Sequence, residues 1–151
     1  MSPAWRPPRR TSRRRGSTLV EQLAVLTLCS GVAAVALTSG ASLLAALDVS
    51  MASQETAALL ALARDHAIAT GTPTAVRFDA ATSRVVIHAA ADTLAAGDFH
   101  GGGLTLQSSR DSLSYAPSGL GVGAANLRVI LTRGGHADTI TVSRLGRVQR
   151  H

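Results

Sequence analysis

The residues of this chain that could do chemistry fall into two groups. In the first, arginine, aspartate and histidine stand close together in three segments, Arg64–His66, Asp98–His100 and His136–Asp138. Acid–base or metal chemistry needs three or more such groups to converge, and the spacing of these segments gives no sign of it. The sequence also lacks the zinc-protease, serine-hydrolase and phosphate-binding motifs. We therefore expect no enzyme, no metal and no cofactor.

The second group is a single carboxylate in an unusual place. Glu21 stands just before an apolar run, Leu23 to Leu47, and no further charge follows it until Asp48. An ionised carboxylate in hydrocarbon is expensive, so an ordinary membrane anchor should not carry one. Six arginines and no acid precede Gly16, whereas nine arginines and nine acids balance from Ser17 onward. The formal net charge of +6 therefore belongs to the first sixteen residues.

The apolar run is long enough to cross a membrane. Its 25 residues span about 37 Å as a helix, against a hydrocarbon core of about 30 Å. Serine, threonine and glycine recur through it, and such small residues let helices approach closely. The preceding arginines predict an N-terminus held in the cytoplasm. The single cysteine, Cys29, excludes an intramolecular disulfide and a cysteine-based zinc site.

Three kinds of N-terminal segment combine basic residues with an apolar helix. A cleaved signal peptide fits poorly, because the run is too long and Glu21 interrupts its start. A twin-arginine signal at Ser12–Arg14 fits poorly, because Arg15–Ser17 stand where that signal requires apolar residues. The third kind is the class III leader. The segment from the arginines through Gly16 to Glu21 resembles type IV prepilins and type II secretion pseudopilins, whose basic leader ends in glycine.

This resemblance implies a processing site and an assembly residue. In that family a prepilin peptidase cuts after the glycine, so the cut would fall between Gly16 and Ser17. Ser17 would become the N-methylated first residue, and Glu21 the fifth. The family's glutamate pairs with the freed α-amino group of a neighbouring subunit, which implies a role for Glu21 in filament assembly. Read from the residues alone, Glu21 is a first-turn acid that favours the helix dipole by up to about 1 kcal/mol; both roles are compatible.

The helical pattern continues beyond Leu47. No glycine or proline occurs between Asp48 and Thr70, and Ala69–Pro73 supplies a glycine stop followed by a proline. We predict one helix from about Leu19 to Thr70, with a membrane-spanning or filament-core first half. Steps of three and four place these residues on one weakly apolar stripe of the second half, which should pack against a sheet: Val49, Ala52, Thr56, Leu60, Ala63 and Ala67.

About six strands should follow the helix. Alternating apolar and polar residues predict them in TAVRFDA, SRVVIHA, GLTLQ, SLSYAP, NLRVILT and DTITVS. The first two form a hairpin, and the last two form another around the two glycines of RGGHA, which can adopt positive φ. Ala96–Gly103 has three successive glycines and no apolar pattern, and is predicted to be a loop. One long helix followed by antiparallel strands makes an α+β fold.

The C-terminal part resembles the GspH/FimT group of minor pseudopilins, in which an aromatic-x-Pro-x-Gly segment precedes a last hairpin and a Gly-Arg pair follows. The residues that carry the resemblance are Tyr115, Pro117, Gly119, Gly146 and Arg147. The resemblance implies a pilin-like fold. We expect four regions: a cleaved leader at 1–16, a transmembrane or filament-core helix at 17–47, the rest of the helix at 48–72 and a β-rich domain at 73–151.

A basic C-terminal segment raises the question of DNA, because some members of this group bind DNA during uptake. Arginine suits phosphate through its planar, bidentate fork. Relatives that bind DNA tend to carry Gly-Arg-x-Arg, whereas GRVQR in this chain places the second arginine one position later. The candidate DNA-binding residues are Arg128, Arg133, Arg144, Arg147 and Arg150, with Asp138 as the single acid among them.

The resemblance as a whole predicts a minor subunit of a type II secretion pseudopilus or a type IV pilus. Its partners would be other pilins, the prepilin peptidase and the bacterial inner membrane, with the C-terminal domain on the periplasmic side. Two alternatives stay open from the sequence. One is a minor pilin that binds DNA in natural transformation, and the other is a single-pass membrane protein, unrelated to filaments, that displays a β-rich binding module.

Overall fold

The computed structural model describes residues 18–122 and 126–151 and divides into two units, one ending at residue 38 and the other covering residues 39–151. The predicted cleavage residues Gly16 and Ser17 lie outside the described residues. The predicted long helix is confirmed as α1 (Leu19–Thr70). It contains a stretch long and apolar enough to cross a membrane, and every residue from 19 to 35 is exposed.

Polar side chains in the first part of α1 are bonded within the helix itself. The Thr18 hydroxyl accepts the backbone N–H of Glu21 over 3.4 Å, as an N-cap residue does. The hydroxyls of Thr27 and Ser30 donate to carbonyls one turn earlier, over 3.2 Å to Ala24 and 2.9 Å to Thr27. These bonds satisfy the hydroxyls without water, which lowers the cost of placing them in hydrocarbon.

The other end of α1 closes as the sequence predicts. Gly71 takes the left-handed conformation with φ +66°, which ends a helix at little cost because glycine has no Cβ. In the last turn the Thr70 hydroxyl donates to the carbonyl of His66 over 2.8 Å. The chain then enters the first strand directly after Pro73.

The part of the chain that the structure describes has nine strands in two antiparallel sheets. Sheet A has the order β3-β2-β1-β5-β6, and sheet B has the order β4-β7-β8-β9. A 3₁₀ turn, His100–Gly102, connects β3 to β4. The strands are β1 (Thr74–Asp79), β2 (Arg84–Ala89), β3 (Asp92–Asp98), β4 (Thr105–Ser108), β5 (Ser112–Tyr115), β6 (Gly121–Val122), β7 (Leu127–Arg133), β8 (His136–Val142) and β9 (Val148–Arg150).

Both sheets share one hydrophobic core with the second part of α1. All six residues of the predicted stripe on α1 are buried, at 4% exposure or less. Alternate residues of the strands face them because strand side chains alternate between the two faces of a sheet. The buried strand residues include Val76, Phe78, Val85, Ile87, Leu113 and Tyr115 in sheet A and Leu106, Leu127, Val129, Leu131, Ile140 and Val142 in sheet B.

Three strands differ from the sequence prediction. The segment Ala96–Gly103, predicted as a loop, begins inside β3, which pairs with β2 along its length. Most of β3 is exposed, so no apolar alternation marks it. The two-residue strand β6 and the three-residue strand β9 were not predicted either, since such short segments carry too little pattern. The two predicted hairpins, β1–β2 and β7–β8, are confirmed.

One buried hydroxyl connects the two sheets. Ser83 lies in the β1–β2 turn, is 4% exposed, and has a positive φ of 49°. Its Oγ accepts the backbone N–H of Leu106 in β4 over 3.2 Å, and its carbonyl accepts the N–H of Phe99 over 3.0 Å. The bond to Leu106 links this turn of sheet A to sheet B, and the bond to Phe99 links the turn to the end of β3.

Candidate functional site

The predicted assembly residue, Glu21, lies in the first turn of α1 and is exposed. A carboxylate at this position faces the unpaired N–H groups of the helix start, so the dipole contribution expected from the sequence is available to it. Its side chain is also accessible to another molecule. The predicted roles of Gly16 and Ser17 fall on residues outside the described part of the chain.

Two of the five candidate DNA-binding arginines are used within the domain. Arg133 forms an ion pair with Asp48 of α1. Arg150 of β9 donates to Asp138 over 3.0 Å and to the hydroxyl of Ser53 on α1 over 2.9 Å. Burial by itself raises the pKa of Asp138, but hydrogen bonds from Ser53 and Arg150 outweigh burial and hold that pKa below its ordinary value.

Two other candidate arginines lie together on the face of sheet B that points away from the hydrophobic core. Arg128 and Arg147 line an open groove of about 570 Å³. The register places Arg128 beside Thr141, and Thr141 beside Gln149, on that face. No carboxylate lines the groove among the described residues; the remaining lining is Asn126, Thr141, Val142, Ser143, Leu145 and Gln149.

The fifth arginine, Arg144, is exposed in the turn between β8 and β9. Its carbonyl accepts the N–H of Gly121 over 3.1 Å, which ties this turn to β6. Two of the five arginines, Arg133 and Arg150, are therefore bonded to acids of the domain itself. The other three, Arg128, Arg144 and Arg147, are exposed.

The residues of the family-like motif converge at the end of α1. Arg64 is half-buried and donates from Nε to the carbonyl of Gly119 over 3.1 Å. A Cβ placed on Gly146 would lie 2.5 Å from that same carbonyl oxygen and 3.2 Å from the Tyr115 ring. Gly119 and Gly146 both have positive φ, +76° and +71°. Close backbone approach and left-handed conformation together explain why glycine stands at both positions.

Tyr115 lies beneath this cluster with its ring fully buried. Its hydroxyl has no hydrogen-bond partner among the described residues. Burial raises the pKa of Tyr115 to about 12, against a smaller opposing effect from the positive charge of Arg64. The tyrosine thus contributes packing to the motif, while its hydroxyl is a cost to stability.

The residues considered for enzyme chemistry have structural roles. His66 Nδ1 lies 3.1 Å from the Thr74 hydroxyl, and His136 Nε2 lies 3.0 Å from the Ser42 hydroxyl. Asp98 accepts the backbone N–H of His100 over 3.0 Å, as in an Asx turn. Within residues 18–122 and 126–151, no group of three or more histidine, cysteine or acidic side chains could hold a metal ion.

Comparison with known families decides the class of protein. The model of the GspH family, described as type II transport protein GspH, matches residues 52–146, which is more than half of the chain. This chain belongs to the GspH family. The match covers Tyr115, Pro117, Gly119 and Gly146, and it includes Arg64, whose contact with Gly119 the sequence did not reveal. No curated protein matches this GspH-family chain.

Solved structures of two minor subunits share the fold. The type IV minor pilin FimU of Pseudomonas aeruginosa superposes with a TM-score of 0.60 at 20% identity, over 68% of this chain and 87% of its own. The minor pseudopilin EpsH from the type 2 secretion system of Vibrio cholerae superposes with a TM-score of 0.56 at 17% identity, over 69% of this chain and 96% of its own. The predicted pilin-like α+β fold is thereby confirmed.

Membership in the GspH family confirms two predictions and removes one alternative. Because this chain belongs to the GspH family, it is a minor pilin or pseudopilin subunit. Such subunits are structural proteins, so the chain is not an enzyme. A β-rich binding module unrelated to filaments is excluded. The family match begins at residue 52, so it does not cover Gly16, Ser17 and Glu21, which remain predictions.

Proposed function

We propose that this chain is a minor subunit of a type II secretion pseudopilus or a type IV pilus, held in the inner membrane by α1 before it assembles. The proposal rests on the difference in side-chain exposure between the two parts of α1. From residue 19 to residue 35 the helix exposes every side chain, including Leu28 and Val32, whereas the later stripe is buried in a GspH-type domain. Exposed aliphatic side chains of this density need lipid or other helices around them.

Glu21 supplies the assembly contact in this proposal. When the leader is removed after Gly16, Ser17 gains an α-amino group that is then methylated. In a packed bundle of apolar helices, the Glu21 carboxylate of one subunit pairs with the amino terminus of its neighbour. A charge left unpaired in that environment costs several kcal/mol, so the pair fixes the axial register of the subunits. The arginines from Arg6 to Arg15 stay on the cytoplasmic side, and the β-rich domain lies on the periplasmic side.

The native N-terminus tests the processing step. We expect mass spectrometry of the chain from filament-producing cells to find a mature form that begins at Ser17, with one added methyl group. A chain that still begins at Met1 in cells with a working prepilin peptidase would contradict the proposal.

A substitution separates processing from assembly. Glu21→Gln should leave cleavage after Gly16 intact and remove the chain from purified filaments, because the amide cannot pair with the amino terminus. The matched control is Glu55→Gln, which neutralises an exposed acid farther along the same helix. Equal filament incorporation of both variants would refute the role of Glu21.

A second candidate function, DNA capture, rests on the acid-free groove that contains Arg128 and Arg147. Because Arg133 and Arg150 are bonded internally, at most three of the five arginines remain free to contact phosphate. The logarithm of the binding constant should then fall with the logarithm of salt concentration with a slope of about −2.7, at ~0.9 per phosphate contact.

A salt titration of duplex DNA in mild detergent tests this candidate, with the chain that begins at Ser17, because the six arginines before Gly16 would otherwise bind DNA themselves. Arg128→Gln with Arg147→Gln should abolish most of the slope, while Arg77→Gln, on the outer face of sheet A, should leave it unchanged. Absence of any salt-sensitive binding at low ionic strength would eliminate DNA capture.

A further inference from the structure

Four aliphatic side chains are exposed where three segments of the domain meet. Their exposed fractions are 50% for Ile68, 46% for Leu120, 58% for Val122 and 69% for Leu145. Ile68 lies in the last turn of α1, Leu120 and Val122 flank Gly121 around β6, and Leu145 lies in the β8–β9 turn. We call these four residues the Leu145 surface.

Backbone contacts hold the three segments of this surface together. The N–H of Gly121 donates to the carbonyl of Arg144 over 3.1 Å, which places the backbone around β6 beside the β8–β9 turn that contains Leu145. A Cβ on Gly119 would lie 2.9 Å from Cδ1 of Ile68, so the end of α1 contacts the same loop. The three segments that carry the Leu145 surface are therefore held against one another.

The turn that presents Leu145 has little freedom. Gly146 is buried, has a φ of +71°, and lies so close to the Gly119 carbonyl that no Cβ fits. The N–H of Gly146 also donates to the carbonyl of Ser143 over 2.9 Å. Leu145 is thus held outward by a fixed backbone, which reduces the entropy lost when a partner covers it.

Two exposed arginines flank Leu145 in the chain. The guanidinium groups of Arg144 and Arg147, on either side of the Leu145–Gly146 pair, have no hydrogen bond or ion pair with any described residue. By contrast, Arg64, Arg133 and Arg150 each bind a carbonyl or a carboxylate within the domain. One acid, Asp65, lies three positions before Ile68 on α1. A partner that covers the Leu145 surface must therefore offer an apolar patch with carboxylates opposite Arg144 and Arg147.

We propose that the Leu145 surface docks another subunit of the filament through an apolar patch flanked by aspartate or glutamate. The proposal rests on the function proposed above. Protein fits this surface better than nucleic acid, because four aliphatic side chains contribute nothing to phosphate binding. The nearest aromatic ring, Tyr115, is buried and cannot stack on a base. The buried centre of a protein–protein interface is more apolar than the rest of a protein surface, and arginine is enriched in such interfaces.

Site-specific photocrosslinking in filament-producing cells tests the proposal. A photoreactive amino acid at position 145 should form a crosslink to a different subunit whose precursor carries a class III leader, and the crosslinked peptide should contain aspartate or glutamate. The matched control is the same amino acid at Leu94 of β3, which is 41% exposed and lies outside the Leu145 surface.

Charge reversal gives a second measurement on the same contact. Arg144→Glu with Arg147→Glu should lower the crosslink yield at position 145 at least about tenfold, because like charges across an interface repel. Arg77→Glu with Arg84→Glu, on the outer face of sheet A, should leave that yield unchanged. Replacing the partner's carboxylates in the crosslinked peptide by arginine should restore the yield of the charge-reversed chain.

The outcomes distinguish this proposal from the function on which it rests. If the wild-type chain does not co-purify with filaments, the proposed function fails. If it does co-purify, the docking proposal alone is overturned by any of three results at position 145: no crosslink, crosslinks only to nucleic acid, lipid or a second copy of this chain, or a yield that charge reversal does not change. Thermal unfolding of each variant verifies that its domain is folded.

Discussion

Tyr115 shows how a single residue can serve packing at the expense of hydrogen bonding. Its ring fills the core beside Gly146, yet its hydroxyl is buried without a partner among the described residues. The cost of such a group is about 1–3 kcal/mol. The aromatic residue of the family-like motif is therefore explained by its ring and not by its hydroxyl.

The first prediction concerns this tyrosine at alkaline pH. The folded-state pKa is about 12, whereas that of the unfolded chain is about 10. Between these values the unfolded state has lost the proton and the folded state has kept it, so stability should fall by about 1.4 kcal/mol per pH unit. Tyr115 is the only tyrosine and the chain has no lysine, so few other groups interfere.

Tyr115→Phe provides the comparison. The variant should be about 1–3 kcal/mol more stable than the wild type near neutral pH, since it removes an unpaired buried hydroxyl. It should also lose the alkaline decline. Thermal unfolding of the full chain in detergent measures both effects, and tyrosinate absorbance reads the pKa directly. A pKa near 10 in the folded chain would contradict the burial of the hydroxyl.

At the scale of elements, the contact between the two glycine turns joins α1, sheet A and sheet B. A Cβ on Gly146 would overlap the Gly119 carbonyl at 2.5 Å, whereas a Cβ on Gly135 would have nothing within 4 Å. Both glycines have positive φ, +71° and +84°. A residue with a Cβ would have a strained backbone at either position, but only at Gly146 would its Cβ also overlap a neighbouring atom.

The second prediction uses this difference. Gly135→Ala should cost about 1–2 kcal/mol of unfolding free energy from the left-handed backbone alone. Gly146→Ala should cost that amount and the overlap with Gly119, in total more than about 3 kcal/mol. Chemical denaturation of the two variants compares them, and equal losses would show that the turn relaxes freely.

The elements differ in how far the sequence could predict them. The stripe on α1 and the β1–β2 and β7–β8 hairpins follow from periodicity and glycine positions, and all are found. The strand β3 was not predicted, because alanine, glycine and aspartate on an exposed strand give no alternation of apolar and polar residues. The pairing of β1 with β5 and the division into two sheets depend on contacts between distant segments, which local patterns do not contain.

The candidate sites show the same limit. The sequence identified five C-terminal arginines as one basic group, but pairing with Asp48 and Asp138 removes Arg133 and Arg150 from it. The buried Ser53, whose hydroxyl accepts a hydrogen bond from Arg150, is not one of the residues of the predicted stripe. The Leu145 surface also escaped prediction. Single leucines within the glycine-rich SGLG and arginine-rich SRLGR segments were its only signal.

For the whole molecule, the third prediction concerns the membrane. Leu28 and Val32 are exposed in the apolar run, at 72% and 65%, and Leu62 is 47% exposed farther along the same helix. Each arginine placed in a membrane-spanning segment costs about 3 kcal/mol of insertion free energy. Leu28→Arg with Val32→Arg should therefore release the chain from membranes during alkaline extraction. Leu62→Arg should not, and release of both variants alike would argue against a span in the apolar run.

The bond between Arg150 and the serines of α1 also sets an order of events during synthesis. Ser50 and Ser53 lie 100 and 97 positions before Arg150, so they emerge from the ribosome long before the side chain that binds them. Contacts between such distant positions form late and slow the folding of a domain. Until β9 has been synthesised, Ser50 and Ser53 therefore lack this hydrogen-bond partner, and β8 has no neighbour at one edge of sheet B.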